Sequence, residues 1–266
     1  MRDIFDGLTP EPSDPDPVRR AQIQMKRPLP KRFYKEVTVE AANDGFAVLL
    51  DGRSIKTPVK RQLILPSEAV AELVAEEWRA QAEEINPAAM PVSRLVNTAL
   101  DAVANSLDEV IDDLVRFSGS DLLCYRAEEP QALVERQSEA WNPVLAWLVE
   151  THGVRLITVS GIMHQQQPDQ SAAAFRRAIE RYCSPLPLSA LHVMTTLTGS
   201  VALALALADG FLNLDETWRL AHLDEDWTNE HWGTDAEAQA RRDARFDEMQ
   251  AAYSLLSASP LDRLIK

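Results

Sequence analysis

The pattern of apolar and polar positions predicts β-structure where the folded chain begins. Residues 33–40 alternate with the period of two that is typical of a strand. Short apolar runs follow at residues 46–50 and 62–65. The turn sequences at residues 43–45 and 51–52 contain Asp-Gly, which supplies the positive φ angles that tight hairpin turns need. The sequence therefore predicts two successive hairpins.

Helical spacing dominates after residue 67. Ser67 is predicted to cap the first helix, because its hydroxyl can accept hydrogen bonds from exposed backbone N–H groups. Gly153 is predicted to end a later helix, since glycine readily adopts the left-handed conformation found after many helix C-termini. The apolar run at residues 154–159 is predicted as a lone strand or an extended linker. Further helices are predicted at residues 107–115, 133–148, 172–182, 215–231 and 234–256.

One stretch, residues 184–208, carries no Asp, Glu, Lys or Arg and is long enough to cross a bilayer. It also contains Pro185, Pro187, His192 and six Ser or Thr hydroxyls, and no cluster of basic residues flanks it. These features favour a buried central helix over a membrane span. A pocket for a small ligand around this segment is a further hypothesis, but no polar constellation in the segment points to a ligand.

The predicted fold class is α+β. A small N-terminal mixed α/β domain with antiparallel hairpins, residues 31–120, is followed by an all-helical C-terminal domain, residues 121–266. Six prolines within residues 1–30 predict a flexible arm. The break at residues 86–91 places the boundary between residues 85 and 130.

Net charge limits the classes of partner. A formal net charge of −14 and a pI near 4.8 exclude a general nucleic-acid binder, which needs a basic surface to replace phosphate counterions. The same charge disfavours docking on anionic membranes. It suits a basic or mixed-charge protein partner, or it serves solubility alone.

Common catalytic signatures are missing from the sequence. It has no dinucleotide fingerprint, no phosphate-binding loop, no serine-hydrolase elbow and no familiar zinc motif. We therefore expect a protein that is not an enzyme and uses no cofactor. Two cysteines, Cys124 and Cys183, do not make a disulfide framework, and the first residues lack the apolar core of a secretory signal. A reduced, cytoplasmic compartment fits these features.

One cluster, residues 222–233, combines acids, histidines and tryptophans. On a single helix His222, Asp226 and Glu230 share one face, which offers a ligand set for Mn or Fe and hence a metal-dependent enzyme as the alternative function. A second interpretation is a packed stripe of apolar residues with a solvated acidic flank. A third is a protein contact, because aromatic residues bordered by charge are common binding hot spots. Elsewhere, Asp121 and Arg126 are expected to form a structural ion pair.

Several motifs occur in a specific order, and together they resemble one family. They lie at residues 46–58, 77–81, 87–91, 97–98, 121–127, 136–137, 141–143, 223–227 and 231–233. The family is that of the assembly chaperones of the F-type ATP synthase, which hold the alpha subunit of the catalytic head before it pairs with the beta subunit. The resemblance covers residues 31 to about 242, and this order of motifs is far more specific than any single one.

The resemblance implies binding without catalysis, by a bacterial and cytoplasmic member of the family. The expected partner is the unassembled alpha subunit, which the beta subunit later displaces, and the expected oligomeric state is a monomer. Neither nucleic-acid binding nor membrane insertion is expected. In the family, acidic residues near a C-terminal Trp-Gly motif matter for function. The resemblance therefore implies this set of partner-binding residues: Asp224, Asp226, Trp227, Glu230, Trp232, Asp235 and Glu237.

Overall fold

A computed structural model describes residues 28–260, and within them the chain forms two compact units that divide between Asp101 and Ala102. The sequence predicts the division after residue 120, whereas the packing contacts place the helix at residues 107–118 with the second unit. Most of the flexible arm predicted for residues 1–30 lies outside the described residues. The predicted fold class, α+β with antiparallel hairpins and then helices, is confirmed.

The first unit is built on a small antiparallel sheet. Its second strand is central and pairs with each of the other three strands. Both predicted hairpins are present, and Val37 lies opposite Leu50 in the longer one. The strands are β1 Val37–Ala42, β2 Gly45–Leu50, β3 Arg53–Ser54 and β4 Ile64–Leu65.

Two features fix the register of this sheet. Asp51 and Gly52 have φ angles of 47° and 77°, which make the tight β2–β3 turn. Gly45, with φ 148°, starts β2 beside the paired strand β4, and an added Cβ there would lie 2.2 Å from the carbonyl oxygen of Leu65. Only glycine allows the two strands to approach so closely.

Helices α1 Glu68–Arg79 and α2 Pro91–Asp101 complete the first unit. Ser67 caps α1 as predicted, because its hydroxyl accepts a hydrogen bond of 3.2 Å from the backbone N–H of Val70. The buried face of α1 covers the sheet. Glu77 at its far end accepts hydrogen bonds of 2.7 Å from two backbone N–H groups in the first turn of α2. This carboxylate therefore joins the two helices.

The second unit is helical, with one short parallel pair of strands, β5 Tyr125–Arg126 and β6 Val159–Ser160. Of the residues 154–159 that were predicted as a lone strand or a linker, only Val159 lies in a strand, which is β6. Gly153, with φ 69°, ends the second helix of this unit as predicted. The helices are α3 Leu107–Ser118, α4 Gln131–His152, α5 Asp169–Glu180, α6 Pro185–Thr198, α7 Val201–Ala208, α8 Leu214–Ala221, α9 Leu223–Trp232 and α10 Ala236–Ala258.

The uncharged segment forms the core of this unit, but as two helices, α6 and α7, rather than one. Gly199, with φ 69°, ends α6, and Ser200 caps α7 through a hydrogen bond of 3.0 Å from the N–H of Leu203. Residues 201–207 are all buried. Among the described residues, the helices are all too short or too polar to span a membrane.

Asp121 explains why the core helix breaks where it does. Its carboxylate is fully buried and accepts hydrogen bonds from the Ser200 hydroxyl, at 2.7 Å, and from the Ala202 N–H, at 3.0 Å. The expected Asp121–Arg126 ion pair is wrong. Arg126 instead donates to the Gln137 carbonyl at 2.8 Å and lies over the Trp141 ring.

Candidate functional site

The seven residues implied as partner-binding lie on α9, on the turn after it and on the first turn of α10. Leu223 is the one residue of α9 that is buried, so most of this helix faces solvent. The predicted single helix over residues 215–231 is interrupted at His222, which separates α8 from α9. The structure therefore brings the seven residues together at one helical corner of the second unit.

Asp224 is hydrogen-bonded to a residue of α4. Its Oδ1 accepts a hydrogen bond of 2.8 Å from Nε2 of Gln137, a side chain that is only 2% exposed. The Gln137 Oε1 in turn accepts from the N–H of Ala127 at 2.8 Å. Asp224 therefore has a structural contact that fixes the start of α9.

Glu230 forms a forked ion pair with Arg136 of α4. The two N–H···O distances are 2.6 and 2.8 Å, the geometry in which a guanidinium binds a carboxylate most strongly. Hydrogen bonding from Arg136 lowers the pKa of Glu230 below its ordinary value. The same guanidinium lies 5.8 Å from the centre of the Trp227 ring, and Trp227 stacks on His231. Together, the contacts of Arg136 with Glu230 and Trp227 fix the end of α9 against α4.

Asp226 and Asp235 also have partners within the protein. Asp226 pairs with Arg242 of α10 at close range, and the side chain of Arg242 is only 15% exposed. Asp235 caps α10, because its Oδ1 accepts from the Ala238 N–H at 2.7 Å. Both carboxylates therefore stabilise the α9–α10 corner, whatever else they contact.

Trp232 and Glu237 are two members of the set whose side chains are almost wholly exposed to solvent. Trp232 is 86% exposed, which is unusual for the largest apolar side chain. Glu237 pairs with Arg241 one helical turn later, yet its side chain remains 83% exposed. We name the exposed side chains of Asp224, Glu230, Trp232, Asp235 and Glu237 the acidic corner.

The metal-ligand hypothesis does not fit the structure. His222 is a junction residue, so it does not continue the α9 face that carries Asp226 and Glu230. Its ring is buried against Trp218, its Nδ1 lies 2.8 Å from the Trp218 carbonyl, and burial lowers the pKa of the imidazole. Each of the two carboxylates is paired with an arginine. Within residues 28–260 no group of three His, Cys, Asp or Glu side chains could hold a metal ion.

Sequence reasoning missed a cavity beside the acidic corner. It has a volume of about 550 Å³ and lies between α8 and α10. Trp218 and Phe246, whose ring centres are 5.3 Å apart, form its apolar part, and Asp243 and Asp247 stand at its edge. Asp243 and Asp247 are four residues apart and therefore lie on one face of α10. This spacing is the feature of the sequence that could have indicated an acidic edge to the cavity.

These observations define a structural class: a small α/β unit is followed by a helical unit that exposes an aromatic side chain among carboxylates. Comparison with known proteins then identifies the family. Residues 31–149 match the model of the ATP12 chaperone protein family. The crystal structure of Atp12 from Paracoccus denitrificans is similar with a TM-score of 0.81 and 36% identity, over 87% of this chain and 99% of that one. The chain belongs to the ATP12 chaperone family.

Two further relatives support this family assignment. The crystal structure of the Atu1473 protein from Agrobacterium tumefaciens has a TM-score of 0.86 and 54% identity, over 96% of this chain and 94% of that one. The protein named atp12, mitochondrial, from Schizosaccharomyces pombe is 24% identical over 93% of this chain and 87% of its own length. The family predicted from the sequence motifs is thus confirmed, and with it a role as an ATP synthase assembly chaperone.

Proposed function

We propose that this protein holds the unassembled alpha subunit of the ATP synthase catalytic head until the beta subunit takes its place. Family membership supports the assembly role. An unassembled subunit exposes an apolar interface that would otherwise self-associate, so a holder that covers it prevents aggregation. The affinity must be moderate, because the beta subunit has to displace the holder.

The observation that carries this proposal is the exposure of Trp232 among carboxylates. Tryptophan is enriched at hot spots of protein interfaces, where charged and polar residues surround it and exclude water. The carboxylates of the acidic corner favour a partner surface that carries basic residues near an apolar pocket. We therefore assign the acidic corner as a contact site for the alpha subunit.

The proposed action is stoichiometric binding without turnover. The sequence carries none of the common catalytic motifs, and its function as proposed needs no cofactor. A monomer is the expected state of the free protein, since the beta subunit has to displace the chaperone from the alpha subunit. The cytoplasm stays the predicted compartment, although the relative from Schizosaccharomyces pombe is named as mitochondrial.

The proposal predicts that Trp232→Ala weakens binding of the alpha subunit. Truncation of a hot-spot residue costs about 2 kcal/mol or more, which is roughly a thirtyfold loss of affinity. The measurement is light scattering by alpha subunit diluted from denaturant, with increasing amounts of each variant. The Trp232→Ala variant should need a large molar excess for the suppression that the parent protein gives near one-to-one.

The matched control is Met163→Ala, another exposed apolar side chain of the second unit that lies outside the acidic corner. It should suppress aggregation as well as the parent protein does. Equal suppression by all three proteins would remove the acidic corner from the contact site. A failure of the parent protein itself would contradict the proposed function.

A further inference from the structure

The cavity between α8 and α10 has one wall from each helix. On α8, Asp215, Trp218 and Arg219 are three and four residues apart, so they share one face. The α10 residues of the lining recur at the same helical spacing and share a second face: Gln239, Asp243, Phe246 and Asp247. The volume of about 550 Å³ is within the range of ligand-binding sites, so the cavity is large enough for a long side chain of a partner.

The apolar part of this cavity is aromatic. The rings of Trp218 and Phe246 are inclined at 58° to each other, and Trp218 is only 8% exposed. His222 packs against Trp218, and burial lowers the pKa of its imidazole, so this neighbour is uncharged at neutral pH. The face of an aromatic ring attracts cations, because its π-electrons carry partial negative charge. A cation can therefore bind against this wall without repulsion from His222.

Negative charge prevails in the lining of the cavity. Four carboxylates and two guanidinium groups leave a surplus of two negative charges: Asp215, Asp226, Asp243, Asp247, Arg219 and Arg242. Arg242 already forms an ion pair with Asp226. Within residues 28–260, Asp215, Asp243 and Asp247 form no ion pair, although Gln239 donates a hydrogen bond of 2.7 Å to Asp243. The cavity therefore keeps carboxylates that a cationic partner can neutralise.

Two further arginines of α10 are engaged elsewhere. Arg241 pairs with Glu237, and Arg245 donates a hydrogen bond of 2.9 Å to the Leu197 carbonyl. Neither arginine contributes to the lining of the cavity. The helix that carries Asp243 and Asp247 therefore does not cancel the surplus of negative charge.

The chain itself shows which cation suits aromatic and carboxylate neighbours. Arg136 donates two hydrogen bonds to Glu230, and its guanidinium lies 5.8 Å from the centre of the Trp227 ring. A guanidinium is planar, so it can lie on an aromatic ring while its N–H groups bind carboxylates in a fork. A lysine ammonium lacks this shape. The cavity therefore suits an arginine side chain better than a lysine side chain.

We infer that the cavity between α8 and α10 binds an arginine side chain of the ATP synthase alpha subunit. The guanidinium lies against Trp218 and Phe246 and pairs with Asp243 and Asp247. This inference rests on the proposed function, because it names the chemistry of one contact with that partner. Trp232 of the acidic corner inserts into the partner, whereas this cavity receives a side chain from it. Contacts in both directions fix the orientation of the partner more closely than either contact alone.

The affinity of two charge-neutralised variants for the alpha subunit tests this contact. The double variant Asp243→Asn, Asp247→Asn keeps the shape of the cavity and removes the two charges that bind the arginine. We expect a Kd about tenfold higher than that of the parent protein in biolayer interferometry, because charge-assisted hydrogen bonds are lost. The matched control, Glu109→Gln, Glu150→Gln, removes the same charge from exposed positions of α3 and α4 outside the cavity lining. This control should leave the Kd unchanged.

The outcomes separate this inference from the proposed function. If the parent protein binds the alpha subunit and the cavity variant binds it equally well, the inference is wrong and the proposed function stands. An equal loss of affinity in both double variants would also overturn the inference, because net charge alone would then explain the loss. Absence of binding by the parent protein would contradict the proposed function, and with it the inferred contact.

A second measurement needs no alpha subunit. N-acetyl-arginine amide is titrated into the parent protein, and the backbone amide resonances are followed by nuclear magnetic resonance. Those of residues 215–219 and 239–247 should shift, and the double variant Asp243→Asn, Asp247→Asn should lose these shifts. N-acetyl-citrulline amide is the control ligand, because it has nearly the same shape without the charge. No shift with the arginine derivative, or the same shift with the citrulline derivative, would overturn the inference.

Discussion

At the scale of single residues, Asp121 joins two distant parts of the chain through its buried carboxylate. It is fully buried, and donors from Leu123, Ser200 and Ala202 all point at its carboxylate. Burial raises the pKa of this group, against the effect of the hydrogen bonds. The side chain therefore replaces the solvent that the first turn of α7 would otherwise need.

Asp121→Ala should lower the free energy of unfolding by about 2–4 kcal/mol, because it leaves buried donors without an acceptor. Urea denaturation followed by circular dichroism measures this change. Glu139→Ala, at an exposed position of α4, is the control and should stay within about 0.5 kcal/mol of the parent protein. An equally small effect of Asp121→Ala would mean that water readily replaces the carboxylate.

Sequence reasoning could not assign Asp121 its role, because the partners lie far along the chain. Ser67 and Gly153 were predictable, since a cap acts on the residues next to it. Asp121 instead reaches Ser200, and the proximity of these two residues exists only in the folded protein. A local sequence pattern indicates contacts between residues that are close along the chain. The predicted Asp121–Arg126 ion pair was wrong because Asp121 binds Ser200 and Arg126 binds the Gln137 carbonyl.

At the scale of helices, the candidate site is a corner whose position depends on contacts between elements. The Glu230–Arg136 pair and the Asp224–Gln137 hydrogen bond join α9 to α4, and Asp226–Arg242 joins it to α10. The acids themselves were identified from the sequence motif. Their partners were not, because helical spacing shows which residues share a face but not which helix lies opposite.

Arg136→Ala should loosen α9 without unfolding the second unit. The substitution removes the forked ion pair at the end of α9 and the cation over Trp227, so this helix should open more often. Amide hydrogen exchange should become faster in residues 223–232 and stay unchanged in the buried helix α7. Arg241→Ala, which removes a largely exposed ion pair on α10, is the control. Unchanged exchange in α9 would show that the ion pair contributes nothing to its position.

At the scale of the whole molecule, fold and family agree on an ATP synthase assembly chaperone. The fold class and the family could both be predicted from the sequence, because the ordered motifs span most of the chain. The second unit carries the acidic corner, and the first unit contains an apolar groove lined by residues such as Val59, Pro87 and Met90. The groove was not predictable, since its lining comes from the β3–β4 connection, from both helices of the first unit and from the connection between those helices.

The most direct test of the account is native mass spectrometry of this protein mixed with the matching ATP synthase alpha subunit, before and after addition of the beta subunit. The account predicts a one-to-one complex with alpha subunit that needs no nucleotide. Addition of beta subunit should then release this protein in free form as alpha–beta species appear. No complex with soluble alpha subunit, or a complex that beta subunit joins without displacing this protein, would contradict the central claim.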